Sequence, residues 1–376
     1  KIENVSDSLS VKSTKTVPVF TNAYVDPEAG NSQTLTRGEE AEVSALSAVK
    51  ASVPAITSPY VLHPTVFAIE DGYQIVFTTD TTGLAGLVVG DHQYFDHTTG
   101  MKNWDSKYHS IFVPREILDT ARSYKIYFRP MSSCPAYHPS PGSANGRTYP
   151  FTPMSDKKEP VILSLSDFRG FTAEAKAVAG YQNFDALYIG GDYAYNGDTE
   201  ANVRLLLDVA GAITSGTKPV IFTRGNREIR GNYSYLLDKI APTSRNGKSY
   251  YTIEQSDFFG IVLDSGEDKL DSHADHGGTV DYESLRKEQT QWLRRVLAEG
   301  KWKEYPTRIA FCHIRLTMAD NEGIREDYAQ WTELLNQMGI SLLFSGHYYT
   351  HSLYAPGHSS VVSQPNFPTM ISSSVD

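Results

Sequence analysis

Val161-Ile162-Leu163-Ser164-Leu165-Ser166-Asp167-Phe168-Arg169-Gly170 is an apolar run that ends in an acid, an arginine and a glycine. The form returns in Ala186-Leu187-Tyr188-Ile189-Gly190-Gly191-Asp192-Tyr193-Ala194-Tyr195 and in Pro219-Val220-Ile221-Phe222-Thr223-Arg224-Gly225-Asn226-Arg227-Glu228. Such short, continuous apolar runs suit strands buried on both faces. Between them, residues 171–180 and 201–213 have helical texture, and Leu206, Leu207 and Ala210 can share one helix face. Strand, helix, strand, helix, strand is the pattern of βαβ units with a parallel sheet. The fold class is therefore α/β.

The pattern continues toward the C-terminus. A hairpin is expected over 250–254 and 258–264 around Ser256-Asp257, then a helix over 282–297. A strand at 308–312, a helix at 326–338 and strands at 341–345, 352–355 and 367–372 complete the chain. Toward the N-terminus the texture changes. Short β-branched or aromatic runs at 60–69, 73–79, 87–89, 110–113 and 124–128 are punctuated by Gly, Asp and Pro, which predicts a small β-sandwich. A Pro/Ser/Gly stretch at 139–143 precedes a linker placed at 149–159. The expected organisation is a lead-in over 1–52, extended or poorly ordered with one short helix at 37–52. A β-sandwich over 53–152 and an α/β domain over 153–376 follow.

Composition narrows the function. The 376 residues are 40% hydrophobic and 21% charged, enough for ordinary globular cores. The net charge of −10 argues against nucleic acid as a partner, because phosphate-backbone binders need a basic surface. A small phosphorylated substrate stays compatible, since a metal or a few cations reverse a local field. No apolar run approaches the ~20 residues of a membrane span. The two cysteines, Cys134 and Cys312, fall in different expected domains and read as free thiols. The chain begins without a signal-peptide pattern, which fits a cytosolic protein or a mature exported form.

Polar residues cluster where the apolar strands end, the place where open α/β sheets build their sites. Five strand ends, in chain order, deliver Asp167, Asp192, Asn226, His313 and His347. Each alone has an ordinary explanation: an Asp caps a helix, Gly-Asn makes a turn, a lone His sits in a core. The ordered series does not. Oxygen and nitrogen donors of this mixture suit a divalent or trivalent first-row metal.

The order Asp, Gly-Asp, Gly-Asn, His, Gly-His resembles the calcineurin-like metallophosphoesterases, two-metal hydrolases of phosphate esters. The resemblance spans residues 160–376, and Leu263-Asp264-Ser265-Gly266-Glu267-Asp268 and Gln291-Trp292-Leu293 extend it. It implies a four-layer sandwich of mixed sheets flanked by helices. Pro59-Tyr60-Val61-Leu62-His63-Pro64 and Val113-Pro114-Arg115-Glu116-Ile117-Leu118 are similar to the fibronectin-III-like N-terminal domain of purple acid phosphatases. Carried over by position, Asp167 ligates a first metal and Asp192 bridges both. Asn226, His313 and His347 complete the second. The implied cofactor is Fe, Zn or Mn, one or two ions per chain.

The departures from the family pattern are concentrated. Arg169 stands where the family usually has His, although purple acid phosphatases also lack that His and use a Tyr three residues past the bridging Asp, here Tyr195. Tyr195 reads equally as an aromatic of a Tyr-rich loop. The family's Gly-Asn-His-Glu becomes Gly225-Asn226-Arg227-Glu228. An arginine grips phosphate but cannot release a proton near neutral pH. In Gly346-His347-Tyr348-Tyr349-Thr350-His351 the second His of Gly-His-x-His is Tyr349 in ungapped register. His351 takes its place only if the loop bulges by two residues. The resemblance thus implies a phosphoesterase with a reduced site, in which Arg169 and Arg227 hold the anion. Its alternative is an inactive relative that binds an anionic or phosphorylated ligand. The N-terminal sandwich and Ser/Thr-rich lead-in fit an extracytoplasmic protein. Asp271-Ser272-His273-Ala274-Asp275-His276 looks like a small metal cluster, but its place in a polar insertion reads as a solvated loop.

Overall fold

A computed structural model describes residues 53–373, apart from 158, 181–182, 256, 317–321 and 358–363. The lead-in with its expected helix lies outside the described residues. The N-terminal strands are β1 Thr65–Ile69, β2 Gly72–Thr78, β3 Gly83–Val89, β4 His92–Phe95, β5 His97–Thr98, β6 Met101–Lys102, β7 Tyr108–Pro114, β8 Ser123–Pro130 and β9 Asn145–Pro150, with helix α1 at Arg115–Ala121. The α/β part follows as β10 Ile162–Leu165, α2 Thr172–Ala177, β11 Ala186–Ile189, α3 Glu200–Thr214, β12 Pro219–Phe222 and α4 Leu237–Ile240. Then come β13 Tyr251–Gln255, β14 Phe258–Leu263, α5 Tyr282–Glu299, β15 Thr307–Cys312, α6 Glu322–Gln337, β16 Leu342–Ser345, β17 His351–Tyr354 and β18 Thr369–Ser372.

Two six-stranded sheets form the centre. One runs β10-β11-β12-β1-β2-β7 and the other β13-β14-β15-β16-β18-β17. β10, β11 and β12 are parallel, as are β14, β15, β16 and β18. Of the parallel strands, β11, β12, β14, β16 and β18 are mostly apolar and buried at every position, so helices must cover them, while β10 is half-buried and β15 is exposed at its start. α5 and α6 cover the outer face of the second sheet. Their core includes Leu293, Tyr328, Trp331 and Leu335, and the Trp331 indole N–H donates to Thr290 Oγ1 at 2.8 Å. The first turn of α5 is capped from a distance: Asp271 accepts from the backbone N–H of Tyr282 (3.1 Å) and Glu283 (2.9 Å). Among the described residues no helix is long and apolar enough to cross a membrane.

The N-terminal region has the β character expected of it, but its pairing departs from a free-standing fibronectin-like sandwich. β3, β4, β8 and β9 form a four-stranded antiparallel sheet. It packs on β2 and β7, where the His109 ring lies 5.6 Å from that of Phe128. That second layer does not stop at the domain's edge. β1 pairs in parallel with β12, matching Val66 to Pro219 and Phe67 to Val220. β1, β2 and β7 therefore continue the α/β sheet, and one core holds Phe67, Ile75, Leu87, Ile126, Leu187 and Phe222 together. The reason lies in β1 itself. Thr65-Val66-Phe67-Ala68-Ile69 is buried at every position, as a central strand must be, with no solvent face to make it a sheet edge.

Candidate metal and anion site

The C-terminal ends of β10, β11, β12, β15 and β16 meet along the seam between the two large sheets. The backbone N–H of His347 donates to Asp167 Oδ2 at 2.9 Å, which ties the loop after β16 to the loop after β10. Tight backbone lets the loops meet. A Cβ on Gly191, at φ 85°, would stand 2.5 Å from the Gly225 nitrogen and 2.8 Å from His313 Nδ1. A Cβ on Gly346 would stand 2.5 Å from Asp167 Oδ2 and overlap Ser166 Oγ. Of ten described non-glycine residues with positive φ, five are here: Asp167 (60°), Arg169 (36°), Asp192 (51°), His347 (71°) and Tyr349 (50°). Each costs on the order of 1–3 kcal/mol and persists only where the surroundings enforce it, commonly at functional sites.

Ligand atoms of Asp192, His313 and His347 lie within 4.8 Å of one another. Asp167, Asp192 and His313 are fully buried. His313 Nδ1 lies 2.6 Å from the Gly190 carbonyl, which fixes the ring and turns Nε2 into the site. That is the outer contact typical of metal-bound histidine. His313 Nε2 stands 3.3 Å from Asp192 Oδ1. Asn226 Oδ1 stands 3.2 Å from His347 Nδ1, while its amide donates to Glu267 Oε2 at 3.2 Å. Asp167 Oδ1, Asp192 Oδ2 and His313 Nε2 are buried and make no hydrogen bond. Leaving such atoms unsatisfied costs ~1–3 kcal/mol each, more for charged groups. A cation would satisfy all three, so the donor set fits a metal.

The electrostatics agree. Burial raises the Asp167 carboxyl above its ordinary range, against the pull of His313. Burial acts against a charge on His313, but Asp192, Asp167 and Glu228 outweigh it and lift the imidazolium to about 10. Burial works to raise Asp192, yet His313 holds it below the usual carboxylate range. Burial, then the charge on His313, pushes His347 down. The buried carboxylates thus draw positive charge into the seam.

Sequence reasoning passed over several supports. Glu228 is fully buried and accepts from the backbone N–H groups of Asp192 (3.0 Å) and Gly225 (2.7 Å), locking two site loops together. Its signal was its place in the Gly-Asn-Arg-Glu segment. Glu267 holds Asn226 and is itself gripped by Arg230. Asp268 Oδ2 lies 3.7 Å from His347 Nε2.

The remaining candidates form the rim. Arg227 Nε is 3.3 Å from Asp192 Oδ2, and its Nη2 donates to the Tyr349 hydroxyl at 3.5 Å. The Arg169 guanidinium carbon lies 3.9 Å from the centre of the Tyr349 ring. Tyr195 is 63% exposed, and its ring lies 5.3 Å from the Arg227 guanidinium carbon. His351 does not join the cluster. Tyr349 N–H bonds Ser373 Oγ and Ser373 N–H bonds the Thr350 carbonyl, so the loop makes no two-residue bulge and His351 enters β17 opposite Ser372. Away from the site, His273 is exposed while His276 is buried, so only part of that insertion is solvated. Both cysteines are free thiols, as expected.

With this geometry in view, the comparisons with known proteins are consistent. The chain belongs to the calcineurin-like phosphoesterase family, whose model matches residues 162–350. A purple acid phosphatase from yellow lupin (Lupinus luteus) seeds is similar in structure, with a TM-score of 0.53 at 13% identity over 82% of this chain and 64% of that one. This chain thus spans less than two thirds of that structure's length, and the likeness concerns fold. A predicted phosphoesterase from Streptococcus pneumoniae (TM-score 0.27, 11% identity, 58% of this chain and 74% of that one) and a Thermus thermophilus sulfate thiohydrolase (0.31, 13%, 55% and 37%) match more loosely. No curated protein matches.

Proposed function

We propose that this chain is a metal-dependent phosphoesterase with a reduced site, acting on a small phosphorylated substrate. Asp192, Asn226, His313 and His347 hold one transition metal ion, with Asp167 beside them. The buried atoms Asp167 Oδ1, Asp192 Oδ2 and His313 Nε2, which make no hydrogen bond, carry this reading, because a cation held among them would satisfy all three where they stand. Bound there, Fe, Zn or Mn would supply Lewis-acid polarisation of a phosphoryl group and activation of water. The chain's own residues do the rest. Arg227 and Arg169 present guanidinium groups that bind and orient a phosphate through paired N–H donors. Glu228 and the Gly190 carbonyl keep Asp192 and His313 in place. Tyr349 holds both arginines at the rim.

The first-metal set is short. Arg169 and Tyr349 stand where imidazoles would be, and a guanidinium lies 3.3 Å from Asp192. Cations there oppose a second metal ion. The test is hydrolysis of an activated aryl phosphate by the purified chain with and without added Mn²⁺ or Zn²⁺. Weak metal-dependent turnover that disappears in Asn226→Ala supports the reading. Absence of turnover with every metal and ester favours a second one, an inactive relative that binds anions. That reading draws on Arg227, which cannot serve as a proton donor to a leaving group.

A further inference from the structure

Seven large apolar or aromatic side chains stand exposed among the described residues. Isolated cases are ordinary on any surface. Here all but Met101 and Tyr137 sit on loops that deliver the site. Phe171 follows Arg169, Tyr195 follows Asp192, Tyr233 and Tyr235 follow Arg227, and Tyr349 follows His347. They are also physically joined. Arg227 touches both Tyr195 and Tyr349, and Arg169 lies on the other end of Tyr349. The backbone N–H of Tyr233 donates to the Gly197 carbonyl at 2.8 Å, two residues past Tyr195. The Tyr233 and Tyr235 rings stack at 6.3 Å and 21°. Aromatic and guanidinium groups thus alternate in a row from Tyr195 through Arg227 and Tyr349 to Arg169, and Arg227 reaches from that row to Asp192.

We infer that the substrate is a phosphate ester of a planar unsaturated ring, aryl or nucleobase-bearing, whose ring lies on the exposed face of Tyr195 while Arg227 and Arg169 take the phosphate. The inference rests on the phosphoesterase reading above. A phosphate drawn to Arg227 places its ester group beside Tyr195 and Tyr349, because Arg227 contacts both rings' residues. Tyr195 has one side against that guanidinium and remains 63% exposed, so a ring face is open to a flat partner. A saturated ring of equal size gains burial but not the geometry of aromatic stacking.

The test uses ligands whose C–P bond the enzyme cannot hydrolyse. Phenylphosphonate, cyclohexylphosphonate and inorganic phosphate are titrated by calorimetry into the full chain with Mn²⁺ present. Wild type should bind phenylphosphonate roughly 2–10-fold more tightly than cyclohexylphosphonate, the range expected for one aromatic contact. Tyr195→Leu should abolish that difference and leave inorganic phosphate unchanged. Tyr195→Phe should keep it, which separates a stacking ring from a hydroxyl ligand. Equal affinities for the two phosphonates in wild type, or equal losses for phenylphosphonate and phosphate in Tyr195→Leu, overturn the inference alone. If none of the three ligands binds, the phosphate site itself is wrong and the inference falls with it.

Discussion

On the proposed reading, Arg227 is the residue that sets this site apart from a two-metal hydrolase. It lies 3.3 Å from Asp192 and cannot donate a proton near neutral pH. General acid–base help is typically worth ~10²–10⁴-fold, and poor leaving groups need it most. Arg227→His should therefore raise kcat/KM on alkyl phosphates more than on aryl phosphates, and equal gains on both would exclude a leaving-group role for this position. Asp167, Asp192, Asn226, His313 and His347 were legible in the sequence because each follows an apolar strand. The choice between Tyr349 and His351 for the last place stays open in the sequence, because it depends on Ser373 holding the loop at Tyr349, a contact 24 residues away along the chain. Tyr195 was read as a ligand or a loop aromatic, and the structure sets its ring against Arg227.

β1 carries the largest difference between the sequence reading and the fold. Periodicity identifies strands but not their partners. The runs around 186–189, 219–223 and 307–312 were read to within a residue or two, while the sandwich was drawn as a separate body. The missed signal was the unbroken burial-type run Val66-Phe67-Ala68-Ile69, which suits a central strand better than a sandwich face. Phe67 is fully buried, and its ring lies 6.5 Å from that of Phe222 in β12. Phe67→Ala should destabilise the chain by about 3–5 kcal/mol. It should also lower metal affinity or activity near the unfolding midpoint, because β12 leads directly to Asn226. An effect confined to an N-terminal unfolding step, read by chemical denaturation, would contradict the shared sheet. Asp271→Ala removes the distant cap of α5 and should cost about 0.5–2 kcal/mol, measurable as a lower denaturation midpoint with unchanged hydrolysis.

One core and one continuous sheet join residues 65–130 to the α/β part, so the described chain should unfold as one cooperative unit. Calorimetry should give a single transition, and residues 153–376 expressed alone should fail to fold, because β12 would lose β1 and expose a fully buried edge. Two separate transitions would contradict this. The charge pattern follows the same logic at longer range. A chain of net charge −10 gathers Arg169, Arg227 and Arg230 around one acidic seam, which concentrates anion attraction where a cation is proposed to bind. Everything proposed for the site depends on that cation. Elemental analysis of the purified, dialysed chain is the most direct check. It should find one equivalent of Fe, Zn or Mn in wild type and none in His313→Ala or Asn226→Ala. No bound metal in wild type, two equivalents, or one equivalent retained in both variants would contradict a single ion held by Asp192, Asn226, His313 and His347.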